Sequence, residues 1–514
     1  MACLLLPWAY FDRCSWGLAL RHVKEVEAAA EARTPLAVDL DGTLIHADLF
    51  VEGALRYILQ GPFNIFRLIA WLFGGRAAAK AAVAASTPCD ATLLPYDQRV
   101  VEWLGEERRA GRTIVLATAA DASEANRVAE HLGLFDQVIA SDGVVNLKAQ
   151  RKAERLAAMF PEGFVYAGNE RTDMTVWSAA EAIVIANAPM GLERSAEKRF
   201  DTERVFDARG GTLRALIKAI RPQQWAKNVL VFVPMLAGHG WLDPTAWRGA
   251  MLAFLALSAT ASSVYLVNDA ADIDADRRHH RKRNRPFASG RLSPLVGLAA
   301  SAVLLCTGLG LAYLGGVLPW VAFYMACSTT YTFWLKRKML VDVFLLASLY
   351  MTRILIGGVA ASSGVHSYLA SSWLLAFSCF FFLSLALMKR VIEIDTVAAS
   401  GGPGLSKRGY LATDGKILSA MGIASGFASA LVLALYLQSS IVAANYRNPF
   451  LLWVLPAAIV YWQCRTWLKA DRGDVHDDPL VYAMRDRISW AVGAVVAAAF
   501  LAAMVAPPGI VPGS

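Results

Sequence analysis

The chain has 514 residues, a net charge of +8, 56% hydrophobic residues and only 18% charged ones, and its mean hydropathy is +0.41. That length is too great for one ordinary core, and a soluble chain would carry roughly a quarter charged residues. At least two domains are expected, one of them in a membrane. The opening MACLLLPWAYFDRCSWGLAL lacks a basic region before its apolar run and a small-residue cleavage site. Met1–Arg33 is therefore expected to be a weakly structured or peripheral leader, with a signal peptide as the lesser alternative. The seven cysteines are scattered and form no C-x-x-C pair, which argues against a disulfide framework and a zinc site.

Residues 34–208 have the mixed texture of a soluble α/β domain. TPLAVDLDGTL (Thr34–Leu44) is an apolar strand running into DxDGT. TIVLATAAD (Thr113–Asp121) is a second strand containing Thr118, NLKAQRKAERL offers Lys148 and Lys152, and FVYAGNERTD (Phe164–Asp173) is a further strand followed by acids. Four motifs in this order resemble the haloacid-dehalogenase (HAD) type of phosphatase, a Rossmann-like α/β fold with a helical cap. The resemblance implies Asp39 as the nucleophile that forms an aspartyl-phosphate and Asp41 as the acid/base at the leaving oxygen. It implies Thr118 as a phosphate-binding hydroxyl and Lys152, by its spacing, as the charge-neutralising lysine. Mg²⁺ would be held by Asp39, Asp41 and Asp173. Asn169 stands where the family often has aspartate, which removes one charge from that ligand set. A degenerate domain kept as a scaffold is the plain alternative.

Between the first two motifs lies NIFRLIAWLFGGRAAAKAAVAAS (Asn64–Ser86). Arg67, Arg76, Lys80 and Gly74-Gly75 interrupt it too often for a span, so it is expected to form a pair of cap helices lying on the membrane surface. Residues 209–222, with a double glycine and then a basic amphipathic stretch, read as a linker.

From residue 223 to 508 about nine apolar segments reach spanning length. They fall near 226–243, 248–268, 293–313, 316–334, 340–361, 367–388, 415–438, 448–466 and 486–506. The loops after the even-numbered segments hold about 20 Lys/Arg and those after the odd-numbered segments about two. That asymmetry predicts a multi-pass protein of the inner (cytoplasmic) membrane, with the even loops and the N-terminal domain in the cytosol.

The most charged stretch, NDAADIDADRRHHRKRNRPFASG (Asn268–Gly290), sits at the cytosolic end of the second segment. In helical register Asn268, Asp272 and Asp276 share one face, with Asp269 beside it. Carboxylates so crowded repel one another unless a cation lies between them, and hard oxygen ligands suit Mg²⁺ held together with substrate phosphates. The basic residues that follow, Arg285 among them, suit phosphate oxygens, although a positive-inside loop carries basic residues in any case. NDxxDxxxDR resembles the first aspartate-rich motif of the UbiA superfamily of intramembrane prenyltransferases, a family with nine helices and a central cavity for Mg²⁺-diphosphate. RPQQWAKN (Arg221–Asn228), KRNRP-x-ASG ending at Gly290, and LVDVFLLASLYMTRILIGGVA (Leu340–Ala360) resemble one branch, the decaprenyl-phosphate phosphoribosyltransferases. In place of the superfamily's second aspartate-rich motif stands MKRVIEID, with Lys389, Arg390 and Glu393, which suits an anionic second substrate better than a neutral ring. Lys227, Tyr331, Lys336 and Arg353 join Asn268, Arg285, Lys389 and Arg390 as candidate substrate contacts, and Asp342 is a further boundary charge. Lys336 also reads as an interface anchor, and Arg353 as half of a structural pair.

The expected chemistry is transfer of 5-phosphoribosyl from phosphoribosyl diphosphate to a polyprenyl phosphate, with diphosphate leaving against Mg²⁺ on Asp269, Asp272 and Asp276. Removal of the 5-phosphate by the N-terminal domain would follow. Prenylation of an aromatic acceptor by a prenyl diphosphate and non-catalytic lipid transport are the alternatives. The partners expected are the two substrates and the bilayer, with no nucleic acid.

Overall fold

The computed structural model describes residues 33–505 apart from 62, 209, 363–365, 400–403, 406–407 and 476–477. The expected leader therefore lies almost wholly outside the described residues. The chain divides into two compact units, one of residues 1–219 with 267–298, the other of residues 220–266 with 299–514.

The first unit is built on a parallel six-stranded sheet in the order β3-β2-β1-β4-β5-β6. Its strands are β1 (Leu36–Val38), β2 (Ile114–Asp121), β3 (Gln137–Ser141), β4 (Val165–Gly168), β5 (Ala182–Ala186) and β6 (Thr202–Phe206). The central strands are apolar runs buried on both faces, as a sheet covered by helices on each side requires. Strand order reverses between β1 and β4, and the crevice beyond the carboxyl ends at such a switch point is where α/β sheets bind ligands.

The segment between β1 and β2 is helical: Leu49–Gln60, Asn64–Phe73 and Arg76–Ser86. The expected pair is present, broken at Gly74-Gly75, where Gly75 takes φ +115°. Tyr57, Leu68 and Val83 form its small core, with Trp71 stacked on Tyr57 at 4.8 Å. Residues 267–298, the basic loop between two membrane segments, belong by contact to this unit.

The rest is helical membrane protein. Among the described residues six helices are long and apolar enough to span: Pro244–Ala271, Pro294–Leu314, Val341–Ala361, Ser372–Ala399, Ala412–Leu437 and Arg487–Val505. Two other expected segments are helical without meeting both conditions, Leu318–Phe333 with 16 residues and Val454–Asp471, which follows a 3₁₀ turn. The first expected segment departs most. Pro222–Phe232 is a 3₁₀ run, Val233–Ala237 is barely one α-turn, and Gly240–Leu242 is another 3₁₀ turn. Pro222 and Pro234 withhold backbone donors, and Gly238 and Gly240 weaken what remains. Such backbone survives at membrane depth only where protein covers it. Val231 and Met235 are indeed fully buried, and a Cβ on Gly357 would lie 1.9 Å from the Val231 carbonyl oxygen.

Candidate functional site

Three side-chain clusters collect the expected site residues. The first lies at the carboxyl end of β1. The Asp39 carboxylate accepts from Leu40 N at 2.9 Å and pairs with Lys152 Nζ at 3.0 Å. Lys152 also donates to the Tyr166 hydroxyl at 2.7 Å, which in turn donates to Asp173 Oδ1 at 3.2 Å. Lys152 is buried and Lys148 exposed, so the residue preferred by spacing is the one that reaches Asp39. Asp173 accepts backbone N–H groups of Asn169 and Glu170. Burial and the facing charge of Asp39 push its pKa up to about 6. Asp41 accepts from Leu49 N at 3.0 Å, and burial with the nearby Asp48 holds its carboxyl well above the usual range. A carboxyl raised in this way is suited to donate a proton to a leaving group. Thr118 is buried near the end of β2, its hydroxyl accepting from Ala120 N.

Asn169 is engaged rather than vacant: Thr43 donates to its Oδ1 at 3.2 Å. It packs so closely on Gly42 (φ +77°) that a Cβ there would meet its Nδ2 at 2.2 Å. Two carboxylates facing one another, Asp39 and Asp173, with an amide oxygen at Asn169, fit a divalent cation of low ligand charge. Sequence reasoning missed two residues here. Lys80, on the second cap helix, donates to Ala119 O at 2.5 Å. Burial draws its pKa down against the pull of Asp41 and Asp48. Tyr166, inside a strand motif, reads as core until its hydroxyl is seen between Lys152 and Asp173.

The second cluster sits on the basic loop. The helix from Pro244 ends at Ala271, and Asp272 caps a separate short helix, Ile273–Arg278. The irregularity is one residue long: Asp272 N still donates to Asn268 O at 3.0 Å and Asp276 N to Asp272 O at 2.8 Å. Asp272 is exposed and Asn268 half-buried. The acids brought together are Asp269 and Asp276, both buried and both accepting from Arg285 Nη1, at 3.2 and 2.7 Å. Burial raises the Asp276 carboxyl despite Arg285. Two carboxylates close enough for one guanidinium nitrogen to bridge are a donor set that also fits Mg²⁺ shared with diphosphate oxygens.

The third cluster lies among the membrane helices. Lys227 and Lys389 both donate to Asp478 Oδ2, at 2.6 and 3.2 Å. Opposing the effect of burial, Lys389 and Lys227 hold this carboxyl well below its usual range. Arg353 donates to Asn228 Oδ1 at 2.9 Å and to the Tyr324 hydroxyl at 2.6 Å, with its guanidinium over the Tyr324 and Tyr350 rings. The partner expected for Arg353 is thus a polar and aromatic cage. Arg390 is fully buried, 2.9 Å from Asp342 Oδ2 and bonded to Glu393. Asp342 also accepts from Tyr410 at 2.6 Å. Arg390 thus joins two acidic side chains from its own and a neighbouring helix, while its Nε and Nη2 make no hydrogen bond among the described residues. Tyr331 meets Arg408 at 3.4 Å, and Lys336 lies half-buried in a 3₁₀ turn.

The sequence pattern of the UbiA prenyltransferase family matches residues 229–485. The uncharacterized protein y4nM of Sinorhizobium fredii is 36% identical over 507 residues, 97% of this chain and 97% of its own length. Decaprenyl-phosphate phosphoribosyltransferase of Corynebacterium glutamicum is 38% identical over 185 residues, 35% of this chain and 54% of that protein. The structure of a UbiA homologue from Archaeoglobus fulgidus bound to GPP and Mg²⁺ aligns with 56% of this chain and 99% of its own, with 15% identity and a TM-score of 0.41.

Proposed function

The chain belongs to the UbiA prenyltransferase family, and from that premise we propose that its membrane half transfers 5-phosphoribosyl from phosphoribosyl diphosphate to a polyprenyl phosphate. The observation that carries the reading is the pair of buried carboxylates, Asp269 and Asp276, converging on Arg285 at the end of a spanning helix. A phosphate oxygen of the lipid attacks the anomeric carbon of the ribose. The bond from that carbon to the diphosphate oxygen breaks, and its electron pair departs with the diphosphate. Asp269 and Asp276, with Asp272 at the rim, would hold a Mg²⁺, which when bound would supply positive charge to the leaving group. Arg285 adds donors to the same oxygens. The nucleophile is already ionised, so no strong general base is required. Lys227 and Lys389, drawn together by Asp478, suit a phosphate group. An apolar groove of 380 Å³ lined by Phe377, Phe381, Trp462 and Leu480 begins two residues from Asp478 and suits a polyprenyl tail.

The first unit is read as a HAD-type phosphatase that removes the 5-phosphate. Asp39 attacks phosphorus, Asp41 protonates the departing sugar oxygen, and water then hydrolyses the aspartyl-phosphate. Lys152 neutralises charge beside Asp39, and Asp39, Asp41, Asp173 and Asn169 would hold a Mg²⁺ that supplies further positive charge to the phosphoryl oxygens. Fusion raises the effective concentration of one activity's product at the other. The basic even-numbered loops support a cytosolic position for this unit and the inner membrane as the site of action.

The test uses purified full-length protein with Mg²⁺, labelled phosphoribosyl diphosphate and decaprenyl phosphate, followed by analysis of the lipid extract. Wild type is expected to give a ribosyl lipid, Asp39→Asn a phosphoribosyl lipid, and Asp269→Ala neither. No lipid product from folded wild-type protein sinks this donor–acceptor pair.

A further inference from the structure

The phosphatase pocket is not made by the sheet and its cap alone. A cavity of 320 Å³ is lined by Asp41 and Asn169 and also by Leu292, Ser293 and Pro294, from the loop that carries Asp269, Asp276 and Arg285. Two features hold that loop in place within the same compact unit. Gly290, at φ +71°, lies directly on the chain leaving the DxDGT motif, where an added Cβ would stand 2.0 Å from the His46 carbonyl oxygen. Arg277 donates to both oxygens of Glu52, at 2.8 and 2.7 Å, with both side chains buried. Its Nε donates to Ala288 O at 2.9 Å, fixing the loop's own shape. A second ion pair, Arg56 to Asp274 at 3.0 Å, lies alongside. A buried guanidinium is tolerated only with its partner in place, so Glu52 makes this docking specific.

We infer that Leu292–Pro294 form the leaving-group wall of the phosphatase pocket, so that the transferase's own aspartate-bearing loop selects the phosphomonoester to be cleaved. The inference rests on the phosphatase reading and deepens it. The cavity is small, and besides the loop it is bordered by the carboxylates Asp41, Asp48, Glu52 and Glu170 and the amides of Asn169 and Asn187. Hydrogen-bonding walls of that size suit a phosphomonoester of a small polyhydroxylated ring, a pentose or similar sugar. A flat aromatic leaving group has no use for those donors and acceptors. The loop also places the pocket beside the segment that grips the donor diphosphate, which shortens the route from one reaction to the next.

The experiment compares ribose 5-phosphate with p-nitrophenyl phosphate as probes, using full-length protein in detergent with Mg²⁺ and measuring phosphate release. Ser293→Trp, at an exposed position of the wall, is expected to lower the ratio of kcat/KM for the sugar phosphate over the aromatic one by about tenfold. The paired replacement Glu52→Leu with Arg277→Met, which removes the clamp without stranding a charge, is expected to lower the same ratio. An unchanged ratio in both variants, with wild type active, overturns the role of the loop. Hydrolysis of neither probe by folded wild-type protein overturns the phosphatase reading itself, and this inference with it.

Discussion

Lys227 and Asp478 stand 251 positions apart in sequence and 2.6 Å apart in the fold. Lys389 reaches the same carboxylate oxygen, so one acid fixes two cations that would otherwise repel each other. Asp478→Asn is expected to destabilise the protein by about 1–3 kcal/mol, read as a lower unfolding midpoint in detergent. The sign with pH follows from the direction of the shift. A carboxylate held below its usual range contributes stability fully present above its unfolded pKa of about 4 and lost as pH falls through the lower folded value. The gap between wild type and Asp478→Asn should therefore be constant from neutral pH down to mild acid and close only below that. A gap that widens on acidification would contradict the pairing.

This cluster also shows where reading the sequence stops. Apolar runs leading into DxDGT and AGNERTD place Asp39 at a strand end and Asp173 in the turn that follows one, because a strand buried on both faces has few other spellings. Lys152, on a helix, is recoverable only from its spacing within the resembled motif order. The partner of Lys227 is not, since nothing local distinguishes Asp478 from its neighbours in DVHDDPL. The partner of Arg277 is hidden likewise: Glu52 looks like an ordinary charge on an exposed helix. The pattern also cannot say which of the acids in Asn268–Asp276 is covered. Backbone bonds run from Asn268 through Asp272 to Asp276 at helical spacing, but Asp272 is exposed while Asp269 and Asp276 are buried against Arg285. The irregular stretch after Pro222 was hidden by hydropathy, which registers apolar character but not missing backbone donors.

Arg285 bridges Asp269 and Asp276, so its removal and theirs should separate kinetically. If the proposed transfer holds, with Arg285 contributing donors to the diphosphate, Arg285→Met is expected to raise the KM for phosphoribosyl diphosphate about tenfold while leaving the KM for polyprenyl phosphate within about twofold. Asp276→Asn should instead lower kcat by about 100-fold and raise the Mg²⁺ concentration needed for half-maximal rate. Steady-state rates at varied donor and Mg²⁺ concentrations distinguish the two patterns.

Asn169 sits against Gly42 and accepts from Thr43, one residue beyond a strand that ends beside Asp39. Asn169→Asp keeps the shape and adds a charge to a set in which Asp39 and Asp173 already oppose each other. With Mg²⁺ present the added carboxylate should lower the Mg²⁺ requirement for phosphate release about tenfold. Without Mg²⁺ three carboxylates crowd one another, so the variant should melt earlier than wild type in chelator and regain the difference when Mg²⁺ is restored. A Mg²⁺ titration of rate and of unfolding midpoint checks both halves.

The first cap helix, Asn64–Phe73, turns Leu68 and Trp71 inward and leaves Phe66 and Phe73 66% and 89% exposed, with Phe63 at 77% just before it. Arg67 and Arg76 are exposed beside them. An apolar face flanked by cations is the composition of a helix lying in the headgroup region of an anionic bilayer, and this chain is itself a multi-pass membrane protein. In nanodiscs containing a phospholipid with a photoreactive acyl chain, peptides covering 63–73 should be labelled along with the spanning helices. Phe66→Asp with Phe73→Asp should abolish that label and leave the spans labelled. The same variant should slow dephosphorylation of a lipid-borne substrate about tenfold or more, because it costs roughly the burial of two aromatic side chains, and should leave hydrolysis of a water-soluble phosphomonoester unchanged. Labelled spans with an unlabelled 63–73 segment in the wild type would mean that something other than lipid covers this face.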